Sequence, residues 1–203
     1  MVGDHYTLAQ VLEIGPVLVD TCALTATLFG GNPRREELPK HLEVFTPHLS
    51  HRKVYFRPGV IMEYSGTKAN YPRDLCRVPK SLDKQPGFIG EIARAGCVLQ
   101  FSPEEQLIYE MHDERMTRLL SGMRGNISWV DYDLLISASV FEQNGGASIL
   151  SIDHPFLNSW NAACNRGYID PEKIRFFIRE DFDQFRRAEV REDPTLRPPR
   201  FPK

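Results

Sequence analysis

Apolar and polar positions follow two different periods along this chain, and the periods take turns. Residues 6–14 (YTLAQVLEI) carry the spacing of a short amphipathic helix, and residues 17–19 (VLV) follow as a compact β-rich run. A helical pattern extends from Ala23 to about Phe29 and stops at the turn Gly30-Gly31-Asn32-Pro33. A second predicted helix spans about Arg35 to Phe45, and residues 53–56 (KVYF) read as a strand. Pro58 suits the first turn of a helix carrying Val60, Ile61, Glu63 and Tyr64. The span 66–102 is broken by Pro72, Pro79 and Pro86, which predicts an irregular insertion or a set of short helices, with 97–101 (CVLQF) as a candidate strand.

Further on, Ser102-Pro103-Glu104-Glu105 has the features of a helix start: a serine cap, proline at the first position and acids against the dipole. That helix is expected to reach about Met123. Ser128-Trp129-Val130-Asp131 fits a capping box for a helix to about Gln143. Gly145-Gly146 ends it, 147–152 (ASILSI) is a predicted strand finishing at Asp153, and a helix around 155–165 precedes a last β-like run at 174–178 (IRFFI). Alternating strands and helices predict an α/β domain over residues 15–180 with a mostly parallel central sheet. Residues 1–14 are then an N-terminal helical extension, and 181–203 a basic, Pro-rich tail.

Composition changes this picture little. A chain of 203 residues, 41% hydrophobic and 26% charged, is an ordinary globular protein of about one domain. No apolar run approaches the ~20 residues of a membrane span, and the first residues lack the apolar core of a signal peptide, so no membrane partner and a cytoplasmic location are expected. Cys22, Cys76, Cys97 and Cys164 lack zinc-ligand spacing and read as reduced thiols. The net charge of −2 does not advertise nucleic-acid binding, but charge is also local. From Arg186 to Lys203, six basic residues face three acids, either as a solvated tail or as an arm on a phosphate backbone.

The informative positions are acids at the ends of predicted elements. Asp20 interrupts PVLVDTCALT directly after the strand VLV, and Asp153 follows the strand SILSI. In an open α/β sheet, ligand sites gather outside the carboxyl ends of the strands. One such aspartate is commonly only a helix cap; two make that reading less complete. Glu63 lies inside the apolar run GVIMEY, and Asp133 opens DLLISASVF. Asp131 competes with Asp133, but its place three residues after Ser128 suits capping, and carboxylates two positions apart on a helix point in different directions. Clustered carboxylates raise one another's pKa unless a cation intervenes, and oxygen ligands favour Mg²⁺ or Mn²⁺. No histidine falls at zinc-ligand spacing with these acids.

These segments, in this order, resemble a PIN domain, the nuclease family that includes VapC-type toxins. The resemblance rests on VLVDTCALT at Asp20 and Thr21, VIMEYSG at Glu63, DLLISASV from Asp133, and Ser151, Asp153 and Phe156 at the second strand end, and covers roughly residues 15–180. It implies a three-layer, Rossmann-like α/β fold and a Mg²⁺- or Mn²⁺-dependent endoribonuclease. Asp20, Glu63, Asp133 and Asp153 would be the catalytic and metal-binding residues, supported by Thr21, Ser151 and Asp131. The toxin branch further implies an antitoxin-like partner and a homodimer. Some members carry another acid two residues after the fourth, where this chain has Pro155, and the pre-strand helix, the 66–102 region and the tail are additions.

For the RNA backbone, Arg52, Lys53, Arg115, Arg118 and Arg124 are the candidate contacts. Two other readings remain open at this point. One is a catalytically inactive PIN-like RNA-binding or scaffold protein; the other is a phosphatase with Asp20 as nucleophile, for which Cys22 stands where a second aspartate is wanted.

Overall fold

A computed structural model describes residues 5–25, 43–65, 82–85, 87–120, 128–181 and 183–192. They build a mixed α/β architecture around one mostly parallel sheet of six strands. In chain order the strands are β1 (His5–Tyr6), β2 (Val17–Val19), β3 (Val54–Tyr55), β4 (Ala147–Ser151), β5 (Ile174–Asp181) and β6 (Gln184–Arg187). Their spatial order is β1-β6-β5-β4-β2-β3. The pairs β2–β3, β2–β4 and β4–β5 are parallel, whereas β5–β6 and β1–β6 are antiparallel.

The central strands read as continuous apolar runs because both of their faces are covered. Every residue of β2 and of β4 is buried, the signature of a parallel strand packed between helices. Among the described residues, the helices are α1 (Leu8–Ile14), α2 (Thr21–Thr25), α3 (Pro58–Tyr64), α4 (Phe88–Arg94), α5 (Pro103–Leu120), α6 (Trp129–Val140) and α7 (His154–Asn165).

Several starts follow from the residues that cap them. Thr7 and Gln10 form a reciprocal capping box for α1, and Ser128 and Asp131 form one for α6. Ser102 and Glu105 exchange the same pair of bonds at the start of α5. Pro58 occupies the first turn of α3, as its fixed φ allows. At the other end of α6, Gly145 and Gly146 adopt φ values of +92° and +93°, and a Cβ on Gly146 would sit 2.1 Å from the carbonyl oxygen of Lys173. That is why the chain needs glycine there before it enters β4.

The sheet departs from the sequence reading at its far edge. Residues 184–187 are a strand, so the chain beyond 180 begins as part of the sheet and not as tail. Only Phe185 of QFRR is fully buried, which leaves too few apolar positions for the sequence pattern to show a strand. Residues 5–6 likewise pair with β6, so the N-terminal extension contributes a short strand as well as a helix. The stretch 97–101 makes only an isolated bridge, Phe56 to Val98, beside β3. The last turn expected of α6 tightens into a 3₁₀ segment, Phe141–Asn144. Most of the helix expected at 35–45 and much of 66–102 lie outside the described residues.

Strand order also locates a crevice. From β2 the chain moves to β3 on one side and later returns to β4 on the other, so the strand order reverses between β2 and β4. The carboxyl ends of these neighbours mark a topological switch point, where ligands bind in open α/β sheets.

Candidate active site

Asp20 and Ser151 face each other across that switch point. The Val19–Leu150 register pairs the strand ends, and the Asp20 N–H continues the ladder by donating to the Leu150 carbonyl at 2.9 Å. Asp20 is only 3% exposed. Its Oδ2 accepts a hydrogen bond from the Ser151 hydroxyl at 2.6 Å and another from the Cys22 thiol. The Thr21 backbone also supports the carboxylate. Despite these donors, burial pushes the Asp20 carboxyl above its ordinary range, and the negative charge of Asp153 adds to the rise. Burial and the neighbouring Asp20 charge likewise push the Cys22 thiol far up, so it serves as a neutral donor.

Glu63 reaches the site from α3. Its Oε2 accepts from the Thr21 hydroxyl at 2.7 Å, which ties the residue after β2 to the glutamate. Burial raises the Glu63 carboxyl; Thr21 opposes the rise and the charge of Asp20 adds to it. Asp153 ends the loop after β4 and directly precedes α7, but its side chain makes no capping bond. Its N–H instead donates to the Ser151 hydroxyl oxygen at 2.9 Å. Capping therefore does not account for this aspartate.

The helix acid that joins the cluster is Asp131. Burial carries its pKa to about 7, and the charges of Asp20 and then Asp153 contribute to the rise. Its capping bonds with Ser128 are present at the same time, so it both caps α6 and feels the strand-end acids. Asp133 points elsewhere. It is fully buried, and its two oxygens take a bidentate pair from Arg57, with both N–O distances 2.8 Å. Tyr109 donates to it as well, at 2.7 Å. The Arg57 guanidinium lies against the rings of Phe101 and Tyr109 at 4.9 and 5.5 Å. A carboxylate neutralised in this way binds α6 to the start of α3 and contributes no free charge to the crevice. Of the two α6 acids, Asp133, the one expected at the site, is therefore taken up by Arg57, and Asp131, two positions earlier, is the one that feels the charges of Asp20 and Asp153.

Asp20, Glu63, Asp131 and Asp153 therefore form an electrostatically linked group centred on Asp20, brought together from α3, α6 and two strand ends. Thr21 and Ser151 hold individual carboxylate oxygens. Among the described residues, no three His, Cys, Asp or Glu side chains are arranged to hold a metal ion.

The basic residues expected on the RNA lie elsewhere. Arg52 and Lys53 precede β3, at the amino end of the parallel sheet, and the Lys53 carbonyl accepts from the first residue of β2. Arg115 covers the Tyr168 ring at 4.8 Å, in the connection from α7 to β5, again at the amino ends of the strands. The Arg118 side chain and Arg124 lie outside the described residues.

The sequence reading missed Arg57 and Tyr109 as the partners of Asp133, and Cys22 as a donor to Asp20. Arg57 carried one usable signal, a basic residue immediately before a predicted buried helix. Among the described residues, no helix is long and apolar enough to cross a membrane. Comparison of the chain with protein-family models, with curated proteins and with solved structures gives no match.

Proposed function

We propose that the chain is a PIN-like, divalent-metal-dependent endoribonuclease whose site is the carboxylate group Asp20, Glu63, Asp131 and Asp153. The observation that carries this reading is the gathering of these acids at the switch point of a parallel sheet, where burial first and a neighbouring acid next raise the carboxyls of Asp20, Glu63 and Asp131. Asp20 and Asp131 are buried, and buried acids that repel one another are costly for a fold that gains nothing from them.

The donor set is all hard oxygen, which fits Mg²⁺ or Mn²⁺. These four side chains would hold the ion. When bound, a divalent cation offsets the clustered charge and supplies the electrophilic assistance that phosphodiester hydrolysis requires. Ser151 and Thr21 fix the rotamers of Asp20 and Glu63 through their hydroxyl donors. Asp131, raised to about 7 by burial first and then by Asp20, is the acid that a bound cation would draw back to its ionised form at neutral pH. The Arg57–Asp133 pair holds the helices that carry Glu63 and Asp131 in one relation.

The test is incubation of the full chain with single-stranded RNAs and Mn²⁺ or Mg²⁺, with and without chelator. Metal-dependent cleavage that Asp20→Asn abolishes is the expected result. Cleavage that survives chelation or Asp20→Asn refutes the proposal. One observation favours a second reading, a non-cleaving RNA-binding protein: the described residues hold no preassembled metal group. RNA binding with no cleavage at any metal concentration selects that reading. An antitoxin-like partner and a homodimer belong to the same resemblance and stand or fall by pull-down and by sedimentation of the purified chain.

A further inference from the structure

The carboxylates of the proposed site use their oxygens unequally. The Asp20 Oδ2 accepts two hydrogen bonds, from the Ser151 hydroxyl at 2.6 Å and from the Cys22 thiol. The Glu63 Oε2 accepts the Thr21 hydroxyl at 2.7 Å, and the Asp131 Oδ2 accepts the Ser128 N–H at 2.9 Å. The Asp153 carboxylate accepts no hydrogen bond among the described residues. Three acids from three different segments thus each have one oxygen tied to the protein.

Asp20 is tied most completely. An ionised carboxylate offers about four lone-pair positions. Ser151 and Cys22 fill both of those on Oδ2, and the Thr21 backbone supplies a further donor. What remains to a cation is a single position, on Oδ1. Both donors to Oδ2 are themselves clamped by the loop after β4. The Ile152 N–H donates to the Cys22 sulfur at 3.3 Å, and the Asp153 N–H donates to the Ser151 oxygen at 2.9 Å. Neither group is free to turn away from Asp20 without losing a backbone bond.

We propose that Cys22 sets the cation selectivity of the site: by filling the second position on the Asp20 Oδ2, it limits this carboxylate to one oxygen, which suits Mg²⁺ and disfavours Ca²⁺. The role rests on the metal-dependent reading above. Ca²⁺ takes about six to eight oxygens and accepts both oxygens of one carboxylate, whereas Mg²⁺ demands a near-ideal octahedron, into which the narrow bite of a chelating carboxylate fits poorly. Cys22 acts through Asp20, so it is a positioning residue. Its effect belongs to the choice between cations and not to the presence of the acids.

The experiment uses the full chain without RNA. Mn²⁺ binding is read from the electron paramagnetic resonance signal of the free ion, and Mg²⁺ and Ca²⁺ affinities from competition with it. Cys22→Ala frees the position on Oδ2 and should shift the ratio of Ca²⁺ to Mg²⁺ affinity toward Ca²⁺ by about tenfold, the lower end of the range for residues that orient metal ligands. The ratio is the readout because a change in the basicity of Asp20 acts on both cations and cancels. Cys22→Ser keeps a donor at the position and should retain the ratio of the unmodified chain. Damage to the fold would weaken both cations together and would not spare the serine variant.

Mn²⁺ binding with an unchanged ratio in Cys22→Ala overturns the role of Cys22 and leaves the metal site standing. A shift of equal size in Cys22→Ser, or a preference of the unmodified chain for Ca²⁺, does the same. Absence of Mn²⁺ binding by the unmodified chain overturns both. The expected shift, together with no RNA cleavage under any cation, leaves Cys22 in its role and refutes the nuclease.

Discussion

Replacing Asp131 by asparagine should stabilise the protein in the absence of metal, and the gain should grow with pH. Asp131 has its pKa raised by burial first and by Asp20 next, from an ordinary 3.8 to about 7. A carboxyl whose folded pKa exceeds its unfolded value binds its proton more tightly in the folded state. Its stabilising effect is complete below pH ~4 and is lost as pH rises to about 7, because the unfolded chain ionises first. At 1.36 kcal/mol for each pKa unit, the full loss is about 4 kcal/mol. The asparagine of Asp131→Asn would keep an oxygen to accept the Ser128 N–H bond at 2.9 Å, so the cap survives while the charge is removed. The expected gain over the unmodified protein is about 1–4 kcal/mol at pH 8 and near zero at pH 4. In a domain of this size that corresponds to at least about 3 °C in Tm. The assay is urea denaturation of both proteins in chelator from pH 4 to pH 8, read as the difference between the two curves so that other carboxylates cancel. A flat difference curve, or one that makes the asparagine variant less stable at pH 8, would refute the electrostatic coupling of Asp131 to Asp20.

Asp133→Ala should behave in the opposite way, losing about 3–5 kcal/mol in urea melts because Arg57 is left buried without its carboxylate. The joint change Arg57→Met with Asp133→Leu should recover most of that loss, since an apolar pair of similar volume needs no desolvated charge. Gly146→Ala should cost at least about 1 kcal/mol in the same melts, because the site combines a φ of +93° with the Lys173 carbonyl at 2.1 Å from the new Cβ. Thr21→Val removes the hydroxyl that donates to Glu63, and should lower metal-dependent RNA cleavage while leaving RNA binding in chelator unchanged.

The sheet's centre was legible because burial on both faces leaves no room for polar residues. VLV and ASILS advertise themselves as parallel strands, and Gly145-Gly146 marks the turn between helix and strand. The edge was not legible. In β6, QFRR buries one aromatic ring and exposes or half-exposes its other side chains, so its ladder bonds, and not an apolar pattern, make it a strand. The same edge carries Arg186 and Arg187, paired with Glu180 and Glu172, which in the sequence stood only as local charge.

At the site, the two strand-end acids could be read as a pair, because a helix cap, the common explanation of one such aspartate, accounts less completely for two. The helix acid could not. Asp131 and Asp133 share a segment, a charge and a nearly buried position, and spacing establishes only that they face different ways. The choice between them depends on Arg57, a residue 76 positions from Asp133 that no local pattern connects to it. A buried arginine requires a carboxylate, and once Asp133 has met that requirement with both of its oxygens, it is no longer an unpaired acid. Asp131 is then the α6 acid that has no cationic partner among the described residues, which is why the proposed site takes it. Capping and site membership are therefore not alternatives for Asp131. The capping box fixes its rotamer at the first turn of α6, and that fixed rotamer is what lets a buried helix hold a carboxylate against the ends of two strands.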